Sequence, residues 1–319
     1  METVYAGAVI IYTYRKSRRL FLFLDREEGW LDMTKGHVDG NEEVRETAIR
    51  EAREESGLSV VPDSHFKDYM KYDVMEKGKK KHKVVTVFLA KVPPSSKVTI
   101  SPEHVGYEWL TVKEAMGRFR REHLLTVLQS ADKYIDRVEE MEKLNREYSK
   151  LPVRFKGWNL SKRLVPGDGP LNARVMIVGQ APGRKEDELL KPFVGISGKL
   201  LTKLIERAGL KREEVYITST VQFFPPKNRI PTDEEIDACR TFLKRQIAII
   251  KPKVIVVVGA VATKELLGMK EVMKLHGRLI KKDYNYFITL HPAAAVRIKK
   301  NMPLIEKDFR KLKAVLIKL

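Results

Sequence analysis

Three glutamates within GHVDGNEEVRETAIREAREESGL, residues 36–58, have the types and spacing for shared chemistry. Glu51, Glu54 and Glu55 stand at i, i+3 and i+4, so a helix presents them on one face. Like charges so placed repel, and a solvated helix ordinarily intersperses lysines among them. A hard cation such as Mg²⁺ takes several oxygen ligands and relieves that repulsion. Seven acidic side chains fall in these 23 residues although the chain carries a formal charge of +19. Arg50 can anchor a neighbouring carboxylate. Gly36 and Gly40 lie in the preceding loop, where backbone can approach a ligand closely. A solvated acidic surface helix is the plain alternative.

A second constellation lies in VMIVGQAPGRKEDELLKPFVGISGKLL, residues 175–201. A strand ends at Gly179-Gln180, a turn through Pro182 and Gly183 follows, and Phe193 sits in a glycine-flanked loop. Ser197 and Gly198 then open a helix whose N-terminus would favour phosphate. Further on, TLHPAAAVR (289–297) sets His291 directly after another strand. A glycine-rich strand-to-helix loop is a weak signal alone, and a lone histidine there is more often structural.

The elements that must carry these groups are legible in outline. Runs rich in β-branched and aromatic residues predict strands at 4–12, 20–24 and 84–92. A helix is expected over 42–56, and GYEWL (106–110) leads into another near 112–130. Residues 131–150 are charged, lack Gly and Pro, and have helical period, which suggests a connector helix. Three prolines and three glycines in LPVRFKGWNLSKRLVPGDGP then break regularity. Beyond them ARVMIVG, EVYITSTV, KVIVVVG and YNYFITL are apolar strand candidates. The first three alternate with helical stretches, as in a parallel sheet covered on both faces.

Composition bounds the function. The length of 319 residues suggests about two domains. No apolar run of ~18 residues could span a bilayer. The start METVYAGAVIIYTYRKSRRL reads as a first strand, without the features of a signal peptide. The single Cys239 excludes an internal disulfide framework and any four-cysteine metal site; a cytoplasmic location is expected. Residues 1–150 hold 27 Lys+Arg against 26 Asp+Glu, and residues 151–319 hold 34 against 16, a net of +1 beside a net of +18. Only the C-terminal half is therefore expected to meet a polyanion such as DNA. A lysine-rich thermophile surface is the alternative, but that bias should affect both halves.

The acidic helix resembles the Nudix family. Gly36, Glu42, Arg50, Glu51, Ala52, Glu54, Glu55, Gly57 and Leu58 reproduce the box G-x5-E-x7-R-E-U-x-E-E-x-G-U without a gap. The resemblance implies hydrolysis of a nucleoside diphosphate linked to another moiety, with Mg²⁺ or Mn²⁺ held by the glutamates. By it Glu51, Glu54 and Glu55 are metal ligands or general base, while Arg50 and Glu42 support the loop and helix. TKGHVDG, KVVTVFLA and SPEHVGYEWL are similar to the diadenosine tetraphosphate hydrolase branch, with Thr34 and Val87 in place of its Pro and Tyr. Val87 stands where that branch has an aromatic nucleotide contact. Lys35, His37 and the basic loop Lys77–Lys83 could hold polyphosphate as point charges, or the loop is a solvated hairpin tip. Glu103 is a further metal or base candidate, or a plain surface acid.

The C-terminal half, about residues 152–315, resembles the type 4 uracil-DNA glycosylases through GQAPGRKED, KPFVGISGKLL, VYITSTVQFFPPKNRIPTDEEIDACRTFL and LHPAAAVR. The resemblance implies base flipping and metal-free glycosidic cleavage. Phe193 matches the stacking aromatic, and His291 the residue that stabilises the uracil anion. Ala294, Ala295 and Val296 match the wedge loop, and Arg297 could hold phosphate. Three departures stand out. Most such enzymes bind an iron–sulfur cluster through four cysteines; here Phe155, Trp158 and Phe223 stand where three would fall, so no cluster is expected and aromatic packing must replace it. Ser219 replaces the Asn that reads the uracil edge. Gln180 replaces a Glu and is followed by Ala181, which removes an obvious water-activating base; Glu186 and Asp187 could serve instead or could be helix-start acids.

The expectation is an α/β protein: a Nudix α/β/α sandwich at 1–130, a helical connector at 131–150, and a glycosylase-like α/β/α domain with a central parallel sheet at 151–319. It would hydrolyse a nucleoside polyphosphate and excise uracil from DNA. The alternatives are excision of another deaminated base, or a DNA-binding module without glycosylase activity.

Overall fold

The computed structural model describes the chain except for Lys77, Arg120, Arg121 and Lys156 and the side chain of Glu76. The basic loop expected at 77–83 is thus described from residue 78 onward. Two compact units divide the chain, Met1–Asp136 and Arg137–Leu319.

The first unit is built on β1 (Thr3–Arg15), β2 (Arg18–Asp25), β3 (Leu31–Asp32), β4 (Thr34–His37), β5 (Asp68–Glu76), β6 (Lys79–Lys91) and β7 (Gly106–Leu110), with α1 (Val44–Ser56), the short α2 (Val112–Ala115) and α3 (Glu122–Tyr148). The strands form one mixed sheet in the order β3-β2-β1-β6-β5, with β4 added to β1 and β7 to β2. β1 and β6 run parallel from Thr3↔His82 to Tyr12↔Lys91. Alternation along β1 sends Val9 and Ile11 to one face, where they pack with Ala48 and Ala52 of α1 and with Phe88. Gly7 lies under α1 so closely that a Cβ there would sit 2.5 Å from the Val44 carbonyl oxygen. On the opposite face Tyr72 of β5 stacks on His123 of α3. Helices thus flank the sheet on both sides, as expected.

Two sequence readings differ from the structure. No helix fills 112–130; α2 ends at Ala115, and α3 then runs unbroken through the expected connector and across the division between units. Its stripe of Leu124, Leu128, Ala131 and Ile135 is buried without a break, so no signal separates 130 from 131. The other difference is β5, an unexpected strand. Its sequence DYMKYDVME alternates polar and apolar residues at a sheet edge, which hides it among charged neighbours.

The second unit opens with α4 (Leu151–Arg154), followed by β8 (Val175–Gly179), α5 (Arg184–Leu189), α6 (Ile196–Arg207), β9 (Val215–Ser219), α7 (Asp233–Ile250), β10 (Val254–Val258), α8 (Ala260–Leu267), α9 (Val272–Leu275), β11 (Leu279–Lys281), β12 (Asn285–Thr289), α10 (Pro292–Arg297) and α11 (Met302–Ile317). Its sheet has the order β11-β12-β10-β8-β9. All pairings are parallel except that of the edge strand β11. The central strands VMIVG and VIVVV are buried throughout, as strands covered on both faces must be. Gly179 pairs with Ser219 at the ends of β8 and β9, and the Gly259 N–H donates to Thr289 O beside β10 and β12 (2.9 Å). Ligands of open parallel sheets settle at such carboxyl ends.

Candidate functional site

In each unit a cavity gathers residues singled out in the sequence. In the first, α1 turns its alanines to the sheet and its charged face outward. A left-handed Gly57 (φ 71°) ends the helix, a conformation glycine adopts without strain. Arg50 gathers the acids around it: its Nε donates to Glu42 (3.0 Å), and its Nη1 to both Glu51 (2.8 Å) and Glu54 (2.9 Å). Its Nη2 reaches the His37 carbonyl (3.1 Å), which ties α1 to the loop after β4. Gly36 makes room for Glu51, since a Cβ there would fall 1.9 Å from the Glu51 carboxylate carbon. Partial burial raises the Glu51 pKa, opposed by Arg50. Glu55 is buried, and one of its oxygens accepts the Lys35 N–H (2.8 Å). The Lys35 ammonium pairs with Asp32.

A cavity of about 970 Å³ opens beside this helix, with Glu51, Glu55, Glu103, Lys35, His37 and Lys83 in its wall. Glu54 lies outside it, exposed and paired with Arg50. Among the described residues no three His, Cys, Asp or Glu side chains converge as a ready cage. The donor set nevertheless fits Mg²⁺ or Mn²⁺: carboxylate oxygens on one wall, and a glycine that leaves space for one of them. Val87, which stands where the diadenosine tetraphosphate hydrolase branch has its aromatic contact, is fully buried between Ala8 and Asp68 within the sheet. Trp30 lines the cavity, and further aromatic surface there comes from Tyr72 and His123, stacked at 4.3 Å and 11°. Sequence reasoning missed both, because they come from the unrecognised β5 and from a helix distant in sequence. Of the basic loop, Lys83 lines the cavity, while Lys80 and Lys81 pair with Asp73 and Glu2.

In the second unit a cavity of about 400 Å³ brings together Gln180, Ala181, Phe193, Ser219, His291 and Arg297. Phe193 adopts a left-handed backbone (φ 52°), and its ring lies 5.8 Å from that of His291 at 26°. Gly179 admits the ring, for a Cβ there would meet Phe193 Cζ at 2.5 Å. His291 caps α10, its Nδ1 accepting the Ala293 N–H (3.1 Å), so in the neutral ring Nε2 carries the proton. Burial, reinforced by Arg297 and opposed by Glu186, pulls the His291 pKa down to about 4. A neutral donor therefore stands beside an aromatic face. Ser219 is buried at the end of β9.

Several expectations change here. Glu186 accepts the N–H groups of Val194 (2.9 Å), Gly195 (2.7 Å) and Gly183 (3.1 Å), which makes it the fastener of the Phe193 loop. Two of these amides, those of Val194 and Gly195, immediately precede α6. Asp187 pairs with Arg163 (2.6 Å) and stands outside the cavity wall. The wedge segment is the helix α10; Ala295 points into the core, while Val296 is 43% exposed. Elsewhere in the unit, Trp158 packs edge-on to Phe223 (4.9 Å), Tyr148 stacks on Phe242 (4.2 Å), and Phe155 meets Trp158 (5.8 Å). Cys239 belongs to the same cluster. The positions compared with iron–sulfur ligands therefore do pack together, Phe155 on Trp158 and Trp158 on Phe223, with Cys239 in the same core as Phe223.

Comparison with known proteins agrees with this division. A family model described as the uracil DNA glycosylase superfamily matches residues 166–316, and one described as the NUDIX domain matches residues 4–129. A type-4 uracil-DNA glycosylase of Saccharolobus solfataricus is 43% identical over 174 residues, covering 51% of this chain and 81% of its own length. That of Thermotoga maritima is 40% identical over 163 residues, covering 49% and 84%. The crystal structure of a C. elegans Ap4A hydrolase binary complex has a TM-score of 0.39 and 25% identity, covering 42% of this chain and 98% of its own.

Proposed function

The C-terminal unit of this chain belongs to the type-4 uracil-DNA glycosylase family and its N-terminal unit carries a NUDIX domain, and from that premise we propose a two-activity cytosolic hydrolase. Residues 1–130 would hydrolyse a nucleoside polyphosphate of the dinucleoside tetraphosphate kind, and residues 151–319 would excise uracil from DNA, with 131–150 as connector.

The observation that carries the second activity is the Phe193–His291 pair in one cavity. A flipped base stacks on Phe193. His291 donates its Nε2–H to the uracil O2 as the C1′–N1 bond breaks and the bonding electrons pass to the base. A fixed donor aimed at developing charge needs no reorganisation in the transition state. Water oriented by the Gln180 carbonyl adds to C1′ and gives up a proton, through solvent, that neutralises the departing base anion, while Glu186 keeps the Phe193 loop in place. A second reading is favoured by Ser219: a buried hydroxyl can donate or accept but lacks the paired pattern of an amide, so another deaminated base would be accepted as well.

In the first unit, Glu51 and Glu55 would hold Mg²⁺ or Mn²⁺, with Glu103 and Glu54 as further ligands or base. The ion when bound neutralises phosphate charge and activates water. Lys35, His37 and Lys83 meet the phosphate chain, and the Tyr72–His123 stack supplies a face for a base. Arg50 holds Glu51 and Glu54 against mutual repulsion.

The test is single-turnover cleavage of duplexes containing uracil, hypoxanthine or xanthine, with EDTA present. Uracil excision in EDTA is expected. Tight DNA binding with no excision of any of the three bases would leave a binding module in its place.

A further inference from the structure

We propose that His104 is a positioning residue for Glu55 and that this pair sets how tightly the acidic cavity of the first unit holds a divalent cation. The proposal rests on reading that cavity as metal-dependent.

The segment after β6 returns to the C-terminus of α1 and is strapped to it. Thr99 N–H donates to Ser56 O (2.9 Å) and Ser101 N–H to Glu55 O (3.2 Å). Gly57 permits the approach, since a Cβ there would already lie 3.1 Å from Thr99 Cβ. A turn closed by His104 N–H on Ser101 O (3.2 Å) follows. It turns consecutive residues to different tasks: Glu103 lines the cavity, while His104 is buried beside Glu55.

The His104 side chain has no exposed surface, and its Nε2 lies 3.4 Å from Glu55 Oε1. Neither ring nitrogen has a hydrogen-bond partner in this arrangement, and neither does the buried Ser101 hydroxyl. Buried polar groups are ordinarily satisfied, so an imidazole sealed from solvent next to a carboxylate calls for an explanation. Glu55 has its other oxygen fixed by the Lys35 N–H, with Arg26 3.9 Å from Oε1. A small rotation of the ring with a shift of about half an ångström would bring His104 into hydrogen-bonding geometry. Glu55 would then be held at both oxygens, with a fixed direction toward the cavity. Partners of this kind behind a ligating carboxylate orient it, and their loss typically weakens metal binding ~10–100-fold. The imidazole stands closer to Glu55 Oε1, at 3.4 Å, than the Arg26 guanidinium does at 3.9 Å.

The experiment is titration of the full-length protein with Mn²⁺, reading the free ion by electron paramagnetic resonance. The variants are His104→Leu, which fills the space without a donor, His104→Gln, which keeps an N–H, and Glu55→Gln as reference. Circular dichroism checks each fold. The dissociation constant should rise ~10-fold or more in His104→Leu and return most of the way in His104→Gln. Wild-type affinity in a folded His104→Leu would overturn the proposal alone. So would a folded His104→Gln that binds no better than His104→Leu, for packing rather than hydrogen bonding would then be the cause. Should His104→Leu fail to fold, His104→Gln decides: near-wild-type affinity supports the proposal, and affinity as poor as that of Glu55→Gln overturns it. A wild-type protein that takes up no Mn²⁺ would overturn the metal-dependent reading and this proposal together.

Discussion

His291 has its protonation state set by its surroundings. An ordinary histidine is half charged near pH 6.5, whereas burial and the nearby Arg297 leave this one neutral down to about 4. A protonated ring would still donate from Nε2, but it would lose the Ala293 N–H bond at Nδ1 and bury a charge beside Arg297. Excision in EDTA should therefore persist as pH falls through about 6.5 and decline only toward about 4. A rate that halves near pH 6.5 through this residue would contradict that environment. The same shift bears on stability. The fold disfavours the protonated ring, so this contribution is complete above the unfolded value near 6.5 and is lost as pH falls toward about 4. His291→Ala should lower the single-turnover rate by ~10²–10³, with duplex affinity little changed because phosphate contacts supply most of it. The acid-side decline due to this ring should vanish in that variant.

At the scale of elements, both candidate sites depend on close approaches that only glycine allows. Gly36 lets β4 pass over the Glu51 carboxylate, which a Cβ would overlap at 1.9 Å. Gly36→Ala should therefore displace Glu51 and reduce nucleotide hydrolysis at least ~10-fold, with the sheet intact by circular dichroism; unchanged turnover would show that Glu51 is not needed where it stands. The acidic helix was legible because its spacing and its flanking glycines are local features. Phe193 and His291 were legible as motif residues for the same reason. What escaped the sequence was set by distant contacts: the polar edge strand β5 with Tyr72, and the task of Glu186 as acceptor for three amides across two loops. The aromatic cluster around Cys239 lies between these cases. Its ring types were visible, but their mutual packing was not. Phe223 is fully buried there against Tyr148 and Trp158. Truncation to Ala should cost ~3–5 kcal/mol, a cavity penalty on top of lost transfer energy. Urea unfolding of the full chain by near-ultraviolet circular dichroism would measure it.

Across the whole molecule, charge and chemistry divide along the chain in the same way. Residues 151–319 carry a net +18 and residues 1–150 a net +1, so counterion release on duplex DNA should be governed by the second part. Arg297, Lys299 and Lys300 are exposed on and just after α10, beside the cavity that holds His291. Lys79 and Lys80 are equally exposed at the β5–β6 hairpin of the first unit. Each phosphate contact contributes about −0.9 to the slope of log affinity against log salt. Replacing Arg297, Lys299 and Lys300 with Ala should flatten that slope by roughly 2–3, and replacing Lys79 and Lys80 should leave it alone. Fluorescence anisotropy with a uracil-containing duplex across a salt series would measure both. Equal flattening by the two sets would mean that DNA runs over the NUDIX unit as well, and the uneven charge would then have no bearing on where the polyanion sits. The chemistry should separate in the same protein. Glu51→Gln should abolish Mn²⁺-dependent nucleotide hydrolysis and leave excision in EDTA at the wild-type rate, because that carboxylate belongs to a site the base does not enter. A fall in excision in Glu51→Gln, with the fold unchanged, would show that the two activities are coupled and that the independence assumed from the two cavities is wrong.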